Sequence, residues 1–304
     1  MRRQLWMSVA VGLGLVLAVG LVAWASTQGL LGPHGQSKRL LVSAERALQR
    51  SDGAAAAQQL EQLIGTYPDS PWVDEALAQL GQAYEQQQQL VEARAAYRLL
   101  LERFPNSSVV NEAQAKLGAV NMALLFSPTV TEMDTVYEVK LGDTLGKIAR
   151  THGTTVALLK RANQLSGDVI RPKQQLKIPK GHFSIVVDKS QNQLLLAQEN
   201  QFIKLYTVAT GENNSTPVGV FKITEKVPNP VWYRQGAVVP ADSPENILGT
   251  RWLELDKDGY GIHGSIDPSG IGTQVTAGCV RMYNPDVEEL FDIVARGTEV
   301  TIVD

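Results

Sequence analysis

Cysteine occurs once in the 304 residues, at Cys279. A lone thiol closes no disulfide within its own chain, so Cys279 is either an inert core hydrophobe or a nucleophile. Histidine is almost as scarce. His34, His152, His182 and His263 lie far apart in the chain, and without paired ligands no metal site is expected. An excess of positive charge is also missing. The formal net charge is -3, which leaves no electrostatic footprint for nucleic acid. Charged residues are only 19% against 44% hydrophobic ones, a globular rather than disordered balance. The length allows two or three domains.

One long apolar run is present. Arg2 and Arg3 precede LWMSVAVGLGLVLAVGLVAWA, residues 5–25. At about 1.5 Å per residue this run just spans a hydrocarbon core of roughly 30 Å. The basic flank stays in the cytoplasm and the rest is exported to the cell envelope. A cleaved signal peptide is the alternative, since Ala23-Trp24-Ala25 has the A-x-A form. The run exceeds a usual signal core, which favours an uncleaved membrane anchor over residues 1–25. An unpaired cysteine kept in an exported chain is unexpected unless it has a task.

Residues 26–36 (STQGLLGPHGQ) are a Gly- and Pro-bearing linker. Residues 37–125 carry helical signal that repeats: YPDSPWVDEALAQLG from Tyr67 matches FPNSSVVNEAQAKLG from Phe104. Ser70 is expected to cap a helix with Pro71 in its first turn. Ala93, Tyr97, Leu100 and Phe104 are expected on the buried side of the intervening helix. This pattern resembles tetratricopeptide repeats of envelope proteins, which implies a spacer or a docking module for an envelope protein partner.

A break over residues 126–134 leads into VYEVKLGDTLGKIARTHGTTVALLKRANQLSGDVIRPKQQLKIP. The spacing predicts a strand at Tyr137–Lys140, a helix capped by Asp143 and ended by Gly153, a second helix capped by Thr155, and a closing strand at Leu176–Pro179. The β-α-α-β order, with GDTL, Asn163 and L-x-IP, resembles a LysM domain over residues 135–180. That resemblance implies binding of N-acetylglucosamine-containing glycan strands between two loops, Gly142, Asp143, Thr144 and Ile170, Arg171, Pro172. Lys173 departs from the family, which usually has glycine there, and a shifted turn is expected.

Residues 181–304 switch to short alternating strands, with helical signal only at Pro285–Arg296. A mostly-β core of two sheets or barrel-like form is expected. The chain is therefore read as multidomain: an all-α helical repeat, a small α+β domain and a mostly-β catalytic domain. Here Cys279 sits in TAGCVRM, with His263 in YGIHGS upstream. A thiol nucleophile needs a base within reach and donors for the developing oxyanion. The Gly-rich loop between His263 and Cys279 lets the two meet. Gly278 allows backbone N–H groups to face an oxyanion, and Arg281, two residues beyond Cys279, suits a substrate carboxylate.

The segment IHGSIDPSGIGTQVTAGCVRMYNPD resembles the active-site stretch of YkuD-like L,D-transpeptidases. Upstream, TPVGVFKI resembles that family's T-P-x-G-x-F, and PNPVWY and NILGTRWLEL resemble its lid and following strand. The resemblance implies Cys279 as nucleophile, His263 as base, the Gly264 backbone carbonyl as the group holding His263, and Gly278 in the oxyanion hole. It places Arg281, Thr276, Trp232 and Tyr233 at the substrate. Implied too are transfer of a peptidoglycan tetrapeptide stem through a thioester, release of D-alanine, an amine acceptor, and no cofactor. Ala277 stands where many members carry a basic residue, and Ile247 replaces a proline. Two other readings remain open at this point: a wall-binding scaffold without catalysis, and an L,D-carboxypeptidase using water. A cysteine endopeptidase of the NlpC/P60 type fits poorly, because its cysteine precedes its histidine.

Overall fold

The computed structural model describes residues 32–234 and 236–304. The apolar run at residues 5–25, and the anchor expected from it, lies outside them. Among the described residues no helix is long and apolar enough to cross a membrane. The chain divides into two compact units, Met1–Gln114 and Ala115–Asp304.

The first unit is built from α1 (Pro33–Gln49), α2 (Gly53–Thr66), α3 (Val73–Gln86) and α4 (Leu90–Arg103), and α5 (Val110–Leu125) begins in it. Small residues set the close helix approach. Gly81 lies directly under the Tyr97 ring, where a methyl group has no room. Ala44, Ala56, Ala76, Ala83 and Ala93 are fully buried. Tyr97 and Leu100 are buried as expected, whereas Phe104 is half-buried at the C-cap of α4. The sequence repeat returns as a repeated hydrogen bond. Ser70 Oγ donates to Ser37 Oγ at 2.8 Å and Ser107 Oγ to Asp74 Oδ2 at 2.5 Å, each 33 residues back. The cap expected of Ser70 differs: Pro71 and Trp72 form a turn and α3 starts at Val73. Ser70 O and Oγ accept from the N–H groups of Val73 and Trp72 instead.

In the second unit, β1 (Asp134–Glu138), α6 (Leu145–Thr151), α7 (Val156–Ala162) and β2 (Gln175–Pro179) form a small β-α-α-β body. The strands pair antiparallel, and Val139, Leu145, Ile148, Leu159, Leu176 and Ile178 fill its core. Thr144, not Asp143, caps α6, because its hydroxyl accepts from Lys147 N. Asp143 closes the preceding turn, its carboxylate accepting from Lys140 N and Tyr137 OH, each at 2.8 Å. Both contacts hold that carboxyl below its ordinary range. Gly153 follows α6 at φ 64° and Thr155 caps α7, accepting from Leu158 N. Lys173 keeps a left-handed turn at φ 71° without the glycine.

The remaining strands are β3 (Phe183–Asp188), β4 (Gln193–Gln198), β5 (Gln201–Thr207), β6 (Thr210–Gly211), β7 (Gly219–Pro228), β8 (Trp232–Arg234), β9 (Ala237–Val239), β10 (Arg251–Leu255), β11 (Gly261–His263), β12 (Gln274–Thr276), β13 (Val280–Arg281) and β14 (Glu299–Val303), with α8 (Asn284–Ile293) before the last. Eight of them form one sheet in the order β13-β11-β10-β7-β14-β3-β4-β5. Where two sheets or a barrel-like form were expected, these eight strands make one continuous sheet, because β7 is ten residues long and serves both halves. Its first residues pair with β14 and its later ones with β10. Val287, Leu290 and Ile293 of α8 pack with Leu253, Leu255, Ile262 and Val280 in the core. Half-buried Lys226 fixes the end of α8, donating to the carbonyls of Phe291 and Val294 at 2.6 Å each.

Candidate active site

Alternation along a strand means that residues next to core positions face the other side of the sheet. On β10, Leu253 and Leu255 are buried in the core, so Trp252 and Glu254 face outward together. Trp252 pairs with His263 on β11 and Val227 on β7, and His263 pairs in parallel with Arg281 on β13. One pair back from Ile262–Val280, the same ladder sets Cys279 beside Gly261. Cys279, His263, Arg281, Thr276, Trp232 and Tyr233 thereby line a single cleft of about 850 Å³.

His263 is 3% exposed. Its Nδ1 lies 2.7 Å from the Gly264 carbonyl, and a carbonyl only accepts, so Nδ1 carries the proton and Nε2 has a free lone pair. Trp252 stacks on the imidazole with ring centroids 5.8 Å apart. Burial pushes the His263 pKa down to about 4, reinforced by nearby Arg281 and opposed by the Gly264 carbonyl. Burial also raises the Cys279 thiol above its ordinary value, partly offset by the Gly261 backbone. The resting pair is therefore neutral thiol and neutral imidazole. The thiol hydrogen-bonds the Gly259 carbonyl at 3.6 Å.

The turn before the thiol is held by its own side chain. Thr276 Oγ1 donates to the Cys279 carbonyl at 2.7 Å and accepts from Gly278 N at 3.1 Å. The Gly278 N–H expected to face an oxyanion is thus already engaged. Thr276, expected at the substrate, spends its hydroxyl on this turn while lining the cleft. Gly278 sits at φ 135°, against the Tyr260 ring, where a Cβ has no room.

Asn284 stands in the quoted motif, and the structure gives it a role that the sequence does not. Its Oδ1 accepts from Ser265 N at 3.0 Å and Thr250 N at 3.2 Å, pinning the corner after His263. A Cβ at Gly264 or Gly249 has no room beside that oxygen. Trp252, Glu225 and Glu254 were also missed as cleft residues, since only strand register reveals them. Arg281 Nε is buried without a hydrogen-bond partner among the described residues. Ala277 and Ile247, the two departures from the family pattern, are exposed and line the same cleft.

The two loops for which the resemblance implies glycan binding leave one end of the β1–β2 ribbon. Backbone bonds Val139 N to Gln174 O (2.9 Å) and Lys173 N to Val139 O (2.7 Å) set them side by side. Gly142, Arg171 and Pro172 are exposed, Asp143 and Ile170 are half-buried, and Thr144 is spent partly on its cap.

A family model of the L,D-transpeptidase catalytic domain (YkuD) matches residues 182–302. The putative L,D-transpeptidase YkuD of Bacillus licheniformis is 37% identical over 175 residues, covering 55% of this chain and 98% of that protein. The chain belongs to the YkuD family of L,D-transpeptidases. The YkuD relative from Bacillus subtilis is 36% identical over 173 residues, covering 55% and 97%. Putative L,D-transpeptidase YqjB of Bacillus subtilis is 37% identical over 126 residues, covering 40% and 70%. Within this transpeptidase a LysM model matches residues 137–179. A model of the outer membrane lipoprotein YfiO matches residues 33–151, overlapping the LysM match in β1 and α6.

Proposed function

We propose that this transpeptidase forms a thioester between Cys279 and the third residue of a peptidoglycan tetrapeptide stem, releasing D-alanine and passing the acyl group to an amine. The observation that carries this reading is the 2.7 Å approach of His263 Nδ1 to the Gly264 carbonyl, beside Cys279 in one cleft. With Nδ1 committed, Nε2 is the base that takes the thiol proton and delivers it to the leaving amine. Both groups are neutral at rest, so proton transfer accompanies attack rather than preceding it as a standing ion pair. The Cys279 N–H, rather than that of Gly278, serves as oxyanion donor in this reading. Arg281, with its unpartnered Nε, supports recognition of a stem carboxylate.

The LysM loops hold the glycan strand, the helical repeats face an envelope protein, and residues 5–25 tether the chain to the membrane. The domain limits proposed are 37–125, 135–180 and 181–304. An envelope location accords with the LysM and YfiO-like matches.

The test is incubation of the full-length protein with tetrapeptide-stem muropeptides, read by mass spectrometry. Dimers joined through third-position residues are expected from wild type and none from Cys279→Ala. Identical products from both proteins would overturn the reading, and tripeptide alone would assign water as acceptor.

A further inference from the structure

The cleft is electrically polar, and one of its poles has no place in the chemistry above. Arg281 stands on β13 at the edge of the sheet. Two strands away, Glu254 on β10 faces Glu225 on β7 in direct register, and both line the cleft. Like charges directly opposite one another repel. Glu225 is ion-paired with Arg296. Glu254 has no cationic partner among the described residues, and its contact is the Thr224 hydroxyl at 3.4 Å. Half-buried in the cleft wall, the Glu254 carboxylate is left open to a cationic ligand.

Glu254 pairs with Gly261, which brings no side chain, and Gly261 neighbours Cys279. The Trp252 indole lies over Gly261 and stacks on His263. At about 4.8 Å per strand, the Glu254 backbone is some 10 Å from that of Cys279. A carboxylate, then an aromatic face, then the base and thioester form a continuous track. Carboxylates and indole faces both attract ammonium groups.

We infer that Glu254, with the Trp252 face, recognises the acyl acceptor as a cationic primary amine and admits it to the cleft opposite Arg281. The inference rests on the thioester reading above and specifies its acceptor. The ammonium docks at Glu254 and loses one proton to water. The free amine moves past Trp252 and attacks the thioester carbonyl, forming the C–N bond as the C–S bond breaks. His263 Nε2 takes the second nitrogen proton and returns it to the departing Cys279 sulfur. The products are an amide, a neutral thiol and one released proton.

The experiment uses full-length protein, a tetrapeptide-stem donor and two acceptors, Nα-acetyl-lysine amide (cationic) and hydroxylamine (neutral at neutral pH). In Glu254→Gln the KM for the lysine amide should rise about five- to ten-fold relative to that for hydroxylamine, the effect of one partly screened ion pair. Glu254→Asp should recover part of the preference. If Glu254→Gln does not fold, wild type decides, since added salt should weaken lysine amide binding and not hydroxylamine. An unchanged acceptor ratio and no salt effect, with acyl-enzyme on Cys279 seen by mass spectrometry, overturn the inference alone. Absence of acyl-enzyme in wild type overturns the thioester reading with it.

Discussion

Trp252 lies stacked on His263, planes 30° apart, and closes one side of the imidazole to water. This packing and the sheet beneath hold His263 neutral, with its pKa at about 4 against an ordinary 6.5. Between those values the unfolded chain binds a proton that the folded chain refuses. Stability contributed by neutral His263 is complete above pH 6.5 and is lost as pH falls toward 4. Thermal melts across that window should show a falling melting temperature, and His263→Gln should flatten the slope. Equal slopes in both proteins would mean that other groups govern acid sensitivity.

Asn284 holds the corner after His263 through the N–H groups of Thr250 and Ser265. Asn284→Ala leaves both without an acceptor, which destabilises by about 2–4 kcal/mol. Because Gly264 turns at that corner, acylation of Cys279 should slow as well. Asn284→Asp retains the acceptor oxygen at a helix N-terminus and should recover most of the stability. Denaturant titration and acylation rates measure the two effects separately.

Lys173 occupies the left-handed region at φ 71°. An L side chain there is disfavoured by about 1 kcal/mol or more. Lys173→Gly relieves that strain, partly offset by glycine's freer unfolded state, for a net gain of about 0.5 kcal/mol. Lys173→Val should instead lose about 1 kcal/mol, since a branched side chain fits this region worst. Chemical denaturation of the three proteins orders them Gly, Lys, Val if the turn persists.

Lys177 is buried on β2 and donates to the carbonyls of Leu124 at 2.7 Å and Ser127 at 3.0 Å, at the end of α5. Its ammonium also faces Asp134 at 3.5 Å. Lys177→Met leaves that buried carboxylate, held by Thr131 N and Oγ1, without its cation and should destabilise by about 3 kcal/mol. Lys177→Met combined with Asp134→Asn should recover part of the loss, because the stranded charge is removed. A double variant no better than the single would place the loss in the two carbonyls instead.

The local features were legible in the sequence because they depend on residues a few positions apart. Thr155 capping α7, Gly153 after α6, the repeated Ser70 and Ser107, and the helix after Asn284 all follow from neighbouring side chains and backbone. The cap expected at Asp143 falls to Thr144 instead, because both side chains can accept and Tyr137 across the turn claims Asp143. The motif around Cys279 and His263 marked the residues of the cleft, yet said nothing of the Thr276 hydroxyl that engages Gly278 N.

The sequence by itself determined the order of modules, the lone thiol, its upstream histidine and the glycine at Gly278. Tertiary structure alone decided what stands around them. Cross-strand register set Trp252 against His263 and put Glu254 in the cleft, and neither follows from spacing along the chain. Burial then made His263 a neutral imidazole, because removing water disfavours the imidazolium whatever the sequence beside it.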